Sequence, residues 1–298
     1  MRTPTYTLLT TMSAGVALLT ACTRTPAPSV DPSTRARDVV PAPMDSTSTG
    51  TAVLTRVYQP GTVRYVYRSI STVQSISGDS VPRMDSTRVT ALFTATFSES
   101  PVRESVRVVS RVDSLQLTTM SPNVVRSSTP EIRPSREDTL EIERVTGKIK
   151  RAGRQPSACS QDTQEPFFRG DEMTPVIPQR AAVRKSWADT TVHQTCRGGL
   201  VLEIRQIARY RLLDNSQSDL DRQIIRVMEN QITGTGTQWE QPVEANGRGV
   251  AVDTLVITGT NSRLHTITGS ARTEIEFRSA RRVQQFVQIT NAQLTAQP

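Results

Sequence analysis

Histidine and lysine are scarce in this chain of 298 residues: only His193 and His265, and only Lys148, Lys150 and Lys185, occur. A zinc centre of the His₃ or His₂-carboxylate kind would need nearly every histidine plus placed carboxylates, so no metal ligand is assigned. Asp189 and His193 stand four apart, with Cys196 nearby. Surface pairs of that spacing are common, and the cysteine reads better as a disulfide partner than as a nucleophile. No Gly-x-Ser-x-Gly elbow, His-Glu-x-x-His or phosphate loop is present. Gly234-Thr-Gly236 lacks the third glycine and the following helix of a nucleotide fingerprint, and reads as a turn. The carboxylates at Glu137-Asp138, Glu141 and Glu143 are flanked by Arg136 and Arg144. They read as a solvated strand face rather than as paired glycosidase acids. No catalytic or cofactor-binding residue is therefore expected, and no cofactor.

Aromatic residues are also few, 4% of the chain against 36% hydrophobic overall. The missing apolar mass is replaced by Ser and Thr rather than by charge, which keeps the sequence out of the disordered range. Trp187 and Trp239 stand in loop-like settings, where packing is the default over sugar stacking. Abundant Thr and Val favour strands over helices. The net charge is +8, and with three lysines among 36 basic residues the other 33 are arginine. They are scattered along strands rather than clustered with stacking aromatics, so a nucleic-acid partner is not expected. Compositional bias explains the arginines, with weak attraction to anionic lipid or cell-wall polymer as the alternative.

Long apolar runs are absent apart from one near the start. Arg2 is followed by Tyr6 to Leu19, mostly apolar or small, and no further charge occurs before Arg24. Fewer than about 20 apolar residues are too short for a permanent membrane span. A positive start, a short apolar centre and small residues at its end are the layout of a secretory signal. The run closes on Leu19-Thr20-Ala21-Cys22, which resembles the lipobox of bacterial lipoproteins, the substrates of signal peptidase II. That resemblance implies cleavage after Ala21, a signal peptide over residues 1–21 and a diacylglyceryl group (with palmitate as a typical acyl chain) on Cys22. In diderm bacteria Asp after the cysteine favours inner-membrane retention, so Thr23 implies outer-membrane rather than inner-membrane sorting. The expected location is the cell envelope, held by lipid. More than one acyl chain is needed for stable anchoring, at ~0.8 kcal/mol per buried CH₂.

Once Cys22 is acylated, Cys159 and Cys196 remain. In an oxidising compartment such a pair is normally bridged, stabilising by roughly 4 kcal/mol on the chain-entropy account; two free thiols are the alternative.

Residues 22–54 are rich in Pro, Ser and Thr without apolar periodicity, and read as a flexible tether of about 30 Å reach. Beyond it the pattern changes to period two, the signature of half-buried strands. Val63, Tyr65 and Tyr67 alternate with Arg64 and Arg68, and Val89, Ala91, Phe93, Ala95 and Phe97 with threonines. Val106, Val108 and Val112 alternate with Arg107 and Arg111; Arg103, Arg107 and Arg111 are also spaced for a helix, but β-branched density favours the strand. Residues 118–136 read as a loop, Thr146-Gly147 as a tight turn, and 153–180 as irregular with room for a short helix around 161–173. From Leu200 to Leu212 one face is apolar except for Gln206, and strands follow at 223–232, 251–258, 263–269, 271–277 and 283–289. Gly234–Gly236 and the Glu244–Gly249 segment read as loops between them.

Pro175-Val-Ile-Pro178, Trp187-Ala-Asp189-Thr190 and the long strand ending near Tyr210 resemble uncharacterised bacterial envelope lipoproteins with a Pro-x-x-Pro and Trp-x-Asp-Thr element and a terminal β-meander. Where those relatives carry Gly-Asp before the Trp, this chain has Lys185-Ser186. Such proteins are similar to the curved, half-open sheets of lipoprotein carriers, which hold acyl chains on a concave apolar face. No residue role transfers with the resemblance.

The expected fold is all-β: an antiparallel meander of about nine to eleven strands forming one curved sheet or partial barrel. The strand domain would run over 55–298, in one piece or as halves 55–150 and 182–298. Tyr65, Tyr67, Phe93, Phe97, Leu202, Ile204, Tyr210, Ile275 and Phe277 are the expected inner face. The expected function is that of a non-catalytic envelope lipoprotein binding a hydrophobic or amphipathic ligand, or an envelope protein, on the curved sheet. A structural module with a filled core is the alternative, and a hydrolase using Asp189 and His193 the remote one.

Overall fold

Alternating burial along the strands builds the fold. A computed structural model of the chain describes residues 53–55, 58–77, 82–121, 124–128, 137–151, 175–183, 185–197, 200–213, 221–238, 241–258, 263–280 and 282–297. The expected signal peptide and lipid site at Cys22, nearly all of the tether, Cys159 and the 161–173 segment lie outside these residues, as do Trp239 and the side chain of Cys196.

Fourteen strands occur among the described residues, and no helix. They are β1 (Val53–Thr55), β2 (Gly61–Ser77), β3 (Arg83–Glu99), β4 (Ser105–Ser121), β5 (Val124–Ser128), β6 (Glu137–Glu143) and β7 (Ile149–Arg151). After a gap follow β8 (Arg180–Ala182), β9 (Ser186–Arg197), β10 (Leu200–Leu212), β11 (Asp221–Gln238), β12 (Gln241–Thr258), β13 (Leu264–Ser279) and β14 (Val283–Ala296). Twelve of them form one antiparallel sheet in the order β7-β6-β4-β3-β2-β14-β13-β12-β11-β10-β9, with β5 also on β4. The remaining two, β1 and β8, pair with each other. Strands from before residue 150 and after residue 182 thus share one sheet, joined where β14 lies on β2.

The sheet curls into a half-barrel because one face is apolar at one end on nearly every strand. Directly opposed residues of antiparallel strands share a face, and by that register all nine aromatic and aliphatic residues expected inside do point inward. Tyr65, Phe93, Val108, Leu140, Tyr210, Ile224, Leu255 and Ile267, from eight strands, belong to one buried cluster. The Tyr65 hydroxyl donates to the Leu264 carbonyl, 3.4 Å away across the intervening β14. We call this filled end the lower end. A smaller cluster of Leu200, Leu202, Ile232, Val243 and Ala245 lies at the other end.

The outward face of β13 is charged. Arg272, Glu274, Glu276 and Arg278 succeed one another along β13, with Arg272–Glu274 and Arg278–Glu276 ion pairs both at 2.9 Å. Hydrogen bonds from Arg272, foremost, and Arg248 hold the Glu274 carboxyl below the usual carboxylate range.

Three segments expected as loops are strand. β4 and β5 carry strand through much of 118–128, and Gly234–Gly236 and Glu244–Gly249 lie inside β11 and β12. The glycines suit close approach rather than turning: a Cβ at Gly234 would collide with Leu202, and one at Gly247 with the Ile275 strand. The expected turn at Thr146-Gly147 is present, with Gly147 at φ 71°.

Among the described residues the strands do not close the barrel. A segment without regular structure, Pro175–Gln179, reaches both edges instead. The Gln179 N–H donates to the Val145 carbonyl at 2.8 Å, beside β6 and β7. At the other edge the Trp187 indole N–H, on β9, donates to the Val176 carbonyl at 2.8 Å. Ile177, fully buried, lies over Gly147 so closely that a Cβ there would strike its backbone. Gly147→Ala combines that collision with a left-handed φ and is expected to lower stability by about 2–4 kcal/mol. Urea denaturation checks it, and an unchanged midpoint would contradict the role given to this strap.

Candidate functional site

The inward residues just above the lower end form a connected polar group. Trp187 and Tyr210 are opposed across β9 and β10, and their rings stack with centroids 5.4 Å apart and planes 3° from parallel. Such a pair contributes about 0.5–1.5 kcal/mol beyond its burial. Both rings hold the strap through Val176, whose main chain also hydrogen-bonds the Tyr210 hydroxyl. On β11, opposite Tyr210, Arg226 donates to that hydroxyl and, through Nε and Nη2, to Asp253 Oδ2 at 2.8 and 2.5 Å. The Arg226 and Asp253 side chains are 6% and 11% exposed, so the charges neutralise each other out of water. The pair fits because β13 places Gly269 opposite Asp253, where a Cβ would fall on the carboxylate.

Above this pair the concave face is organised in rows. Reading the register across β9 to β14, one row is Thr191, Gln206, Asn230, Gly249, Thr273 and Gln288. The row above it holds His193, Ile204, Ile232, Gly247, Ile275 and Phe286, mainly apolar, and the row below holds Asp189, Ala208, Met228, Ala251, Ala271 and Thr290, apolar at its four central positions. A belt of amides and hydroxyls therefore runs across the strands between two mainly apolar rows. Thr191, Gln206, Asn230, Thr273 and Gln288 are half-buried, unlike the filled lower end. Asn230 Oδ1 and, one inward position above Thr191 on β9, His193 Nδ1 are buried without a hydrogen-bond partner. Leaving such a polar atom unmet costs about 1–3 kcal/mol.

The carboxylates and histidine expected as marginal chemistry are not brought together. Asp189 and His193 face the same side of β9, but four residues of strand separate them by about 13 Å. Glu141 and Glu143 lie on the outward side of β6, where Glu143 accepts from the Thr146 hydroxyl. Arg144 does not neutralise them: its guanidinium pairs with Glu99 at 2.5 Å. Among the described residues no three of His, Cys, Asp and Glu gather as a metal site. Trp187 is in a strand rather than a loop and packs as half of the stacked pair.

Sequence reasoning missed the Arg226–Asp253 pair and most of the belt. The signal was parity: Arg226 sits between Ile224 and Met228, and Asp253 between Ala251 and Leu255, on the apolar side of their strands. Gln206 was visible as the exception on its strand, whereas Gly247 and Gly249 disguised the inward alternation of β12.

No family model matches the chain, and no curated protein matches it. Among solved structures it is similar to Pseudomonas aeruginosa OpdQ, at 8% identity and a TM-score of 0.28, over 80% of this chain and 100% of that one. It is also similar to Pseudomonas aeruginosa OccK8 (OprE), at 7% identity and a TM-score of 0.22, over 80% and 98%. Likeness at these scores carries no argument about activity or location.

Burial pushes the Tyr210 phenol above its ordinary value; the Asp189 charge adds to this, while Arg226 and the Val176 main chain oppose it. Tyr210 then contributes stability that is fully present below the unfolded value near pH 10 and is lost as pH rises through the higher folded value. Tyr210→Phe is expected to lower stability at pH 8 by about 1 kcal/mol and to reduce the fall between pH 9.5 and 11. Urea midpoints across that range decide it; an equally steep fall in the variant would contradict the assignment.

Proposed function

We propose that this chain is a lipid-anchored envelope protein without catalytic activity, and that its concave sheet binds a hydrophobic or amphipathic ligand. The supporting observation is the contrast along the concave face. The lower end is filled by its own side chains, whereas the belt and much of the rows beside it are half-buried. Ligand sites are concave and mostly apolar with a few placed polar groups, and two mainly apolar rows flanking a polar one match that description. The anchor reading rests on Leu19-Thr20-Ala21-Cys22, with the Pro/Ser/Thr-rich tether between it and β1. The outer membrane is the location that Thr23 favours. A structural module would need the concave face filled along its whole length, and the half-buried belt favours a binding role over it.

The test is purification from a bacterial envelope followed by mass spectrometry. The expected result is a diacylglyceryl group on Cys22 and a lipid retained by the folded chain after detergent exchange. No retained lipid, together with no binding of a fluorescent fatty acid or acylglycerol, would contradict the ligand reading. An unmodified Cys22 would contradict the anchor.

A further inference from the structure

The belt also bears on which amphiphile fits, a point that rests on the ligand-binding reading above. A fatty acid or a phospholipid brings an anionic group, which proteins meet with arginine or lysine. Among the described side chains, the inward positions of β9 to β14 carry two arginines, both below the belt: Arg226, which Asp253 neutralises, and Arg222, at the lower end opposite Ile257. Asp189, on the same face of β9, adds negative charge at the edge. The row at mid-height offers only neutral groups: the amides of Gln206, Asn230 and Gln288 and the hydroxyls of Thr191 and Thr273. Gly249 lets Asn230 and Thr273 come close to each other in the row, with the Thr273 hydroxyl 3.0 Å from where its Cβ would be. Asn230 Oδ1 and His193 Nδ1 are the two polar atoms here without partners.

We infer that the polar belt centred on Gln206 and Asn230 is a binding site for the uncharged, hydroxyl-bearing head of a neutral amphiphile, such as a monoacylglycerol. The apolar rows above and below it receive hydrocarbon. Amides both donate and accept, which suits vicinal hydroxyls and an ester carbonyl and gives no advantage to a carboxylate. Desolvating an anion here without a free cation is unfavourable.

The test compares 1-decanoylglycerol with decanoate on the full-length Cys22→Ser chain, by displacement of an environment-sensitive apolar dye at neutral pH. The expected result is tighter binding of the glyceride. In Gln206→Leu/Asn230→Leu that binding weakens about tenfold or more, while decanoate is unchanged or tighter. Thr273→Val, a milder change on the same row, is the second variant should the double one fail to fold, and is expected to weaken the glyceride alone. Decanoate binding as tightly as the glyceride, or a glyceride affinity indifferent to the folded variants, would overturn this inference and leave the concave ligand face standing. Binding of neither compound, nor of the dye, would overturn both.

Discussion

A sheet that curls without closing must deal with two exposed edges, and here a single stretch of backbone ties them at the lower end. Val176 is held by the stacked Trp187 and Tyr210 on the β9 side, while Ile177 and Gln179 lie on the β6–β7 turn. Unpaired edges invite strand addition and aggregation. A covering segment blunts them while leaving the rest of the concave face open. The Arg226–Asp253 pair sits directly behind the stack, so burial of the charges, position of the aromatic pair and course of the strap depend on one another. Removing one partner of such a pair leaves a buried charge unmet, the costly half of the exchange.

That arrangement divides the half-barrel in packing. Below the pair, side chains from eleven strands fill the interior and fix the curl. Above it, small residues on β12 and β13 leave the neighbouring side chains room, and the amide belt interrupts an otherwise apolar surface. The ion pairs on the outward side of β13 are exposed and individually worth about 0–1 kcal/mol.

Much of this was legible in the residues. Period-two alternation identified β2, β3, β4 and β10 and placed Tyr65, Phe93 and Tyr210 inside, because a one-residue slip would move every side chain to the wrong face. Gly147 was legible as a turn because few other residues adopt its φ. What misled was glycine inside strands. Gly234, Gly247 and Gly249 carry the turn signal locally, yet they occupy inward positions where neighbouring strands leave no space for a side chain. The strap was invisible because its hydrogen bonds join residues far apart in the chain. The belt was invisible because a row exists only once six strands are in register, and no single strand shows more than one or two of its members.

The central claim is an accessible belt at mid-height, between the sealed lower end and the smaller buried cluster at the other end, and thiol accessibility tests it most directly. Gln288→Cys places a thiol in the belt, and Ala95→Cys places one in the filled cluster. With the chain folded, a hydrophilic maleimide mapped by mass spectrometry should label Cys at position 288 within minutes and leave position 95 unmodified. A Gln288→Cys thiol as unreactive as the one at position 95 would mean that the concave face is filled throughout, and would contradict the account.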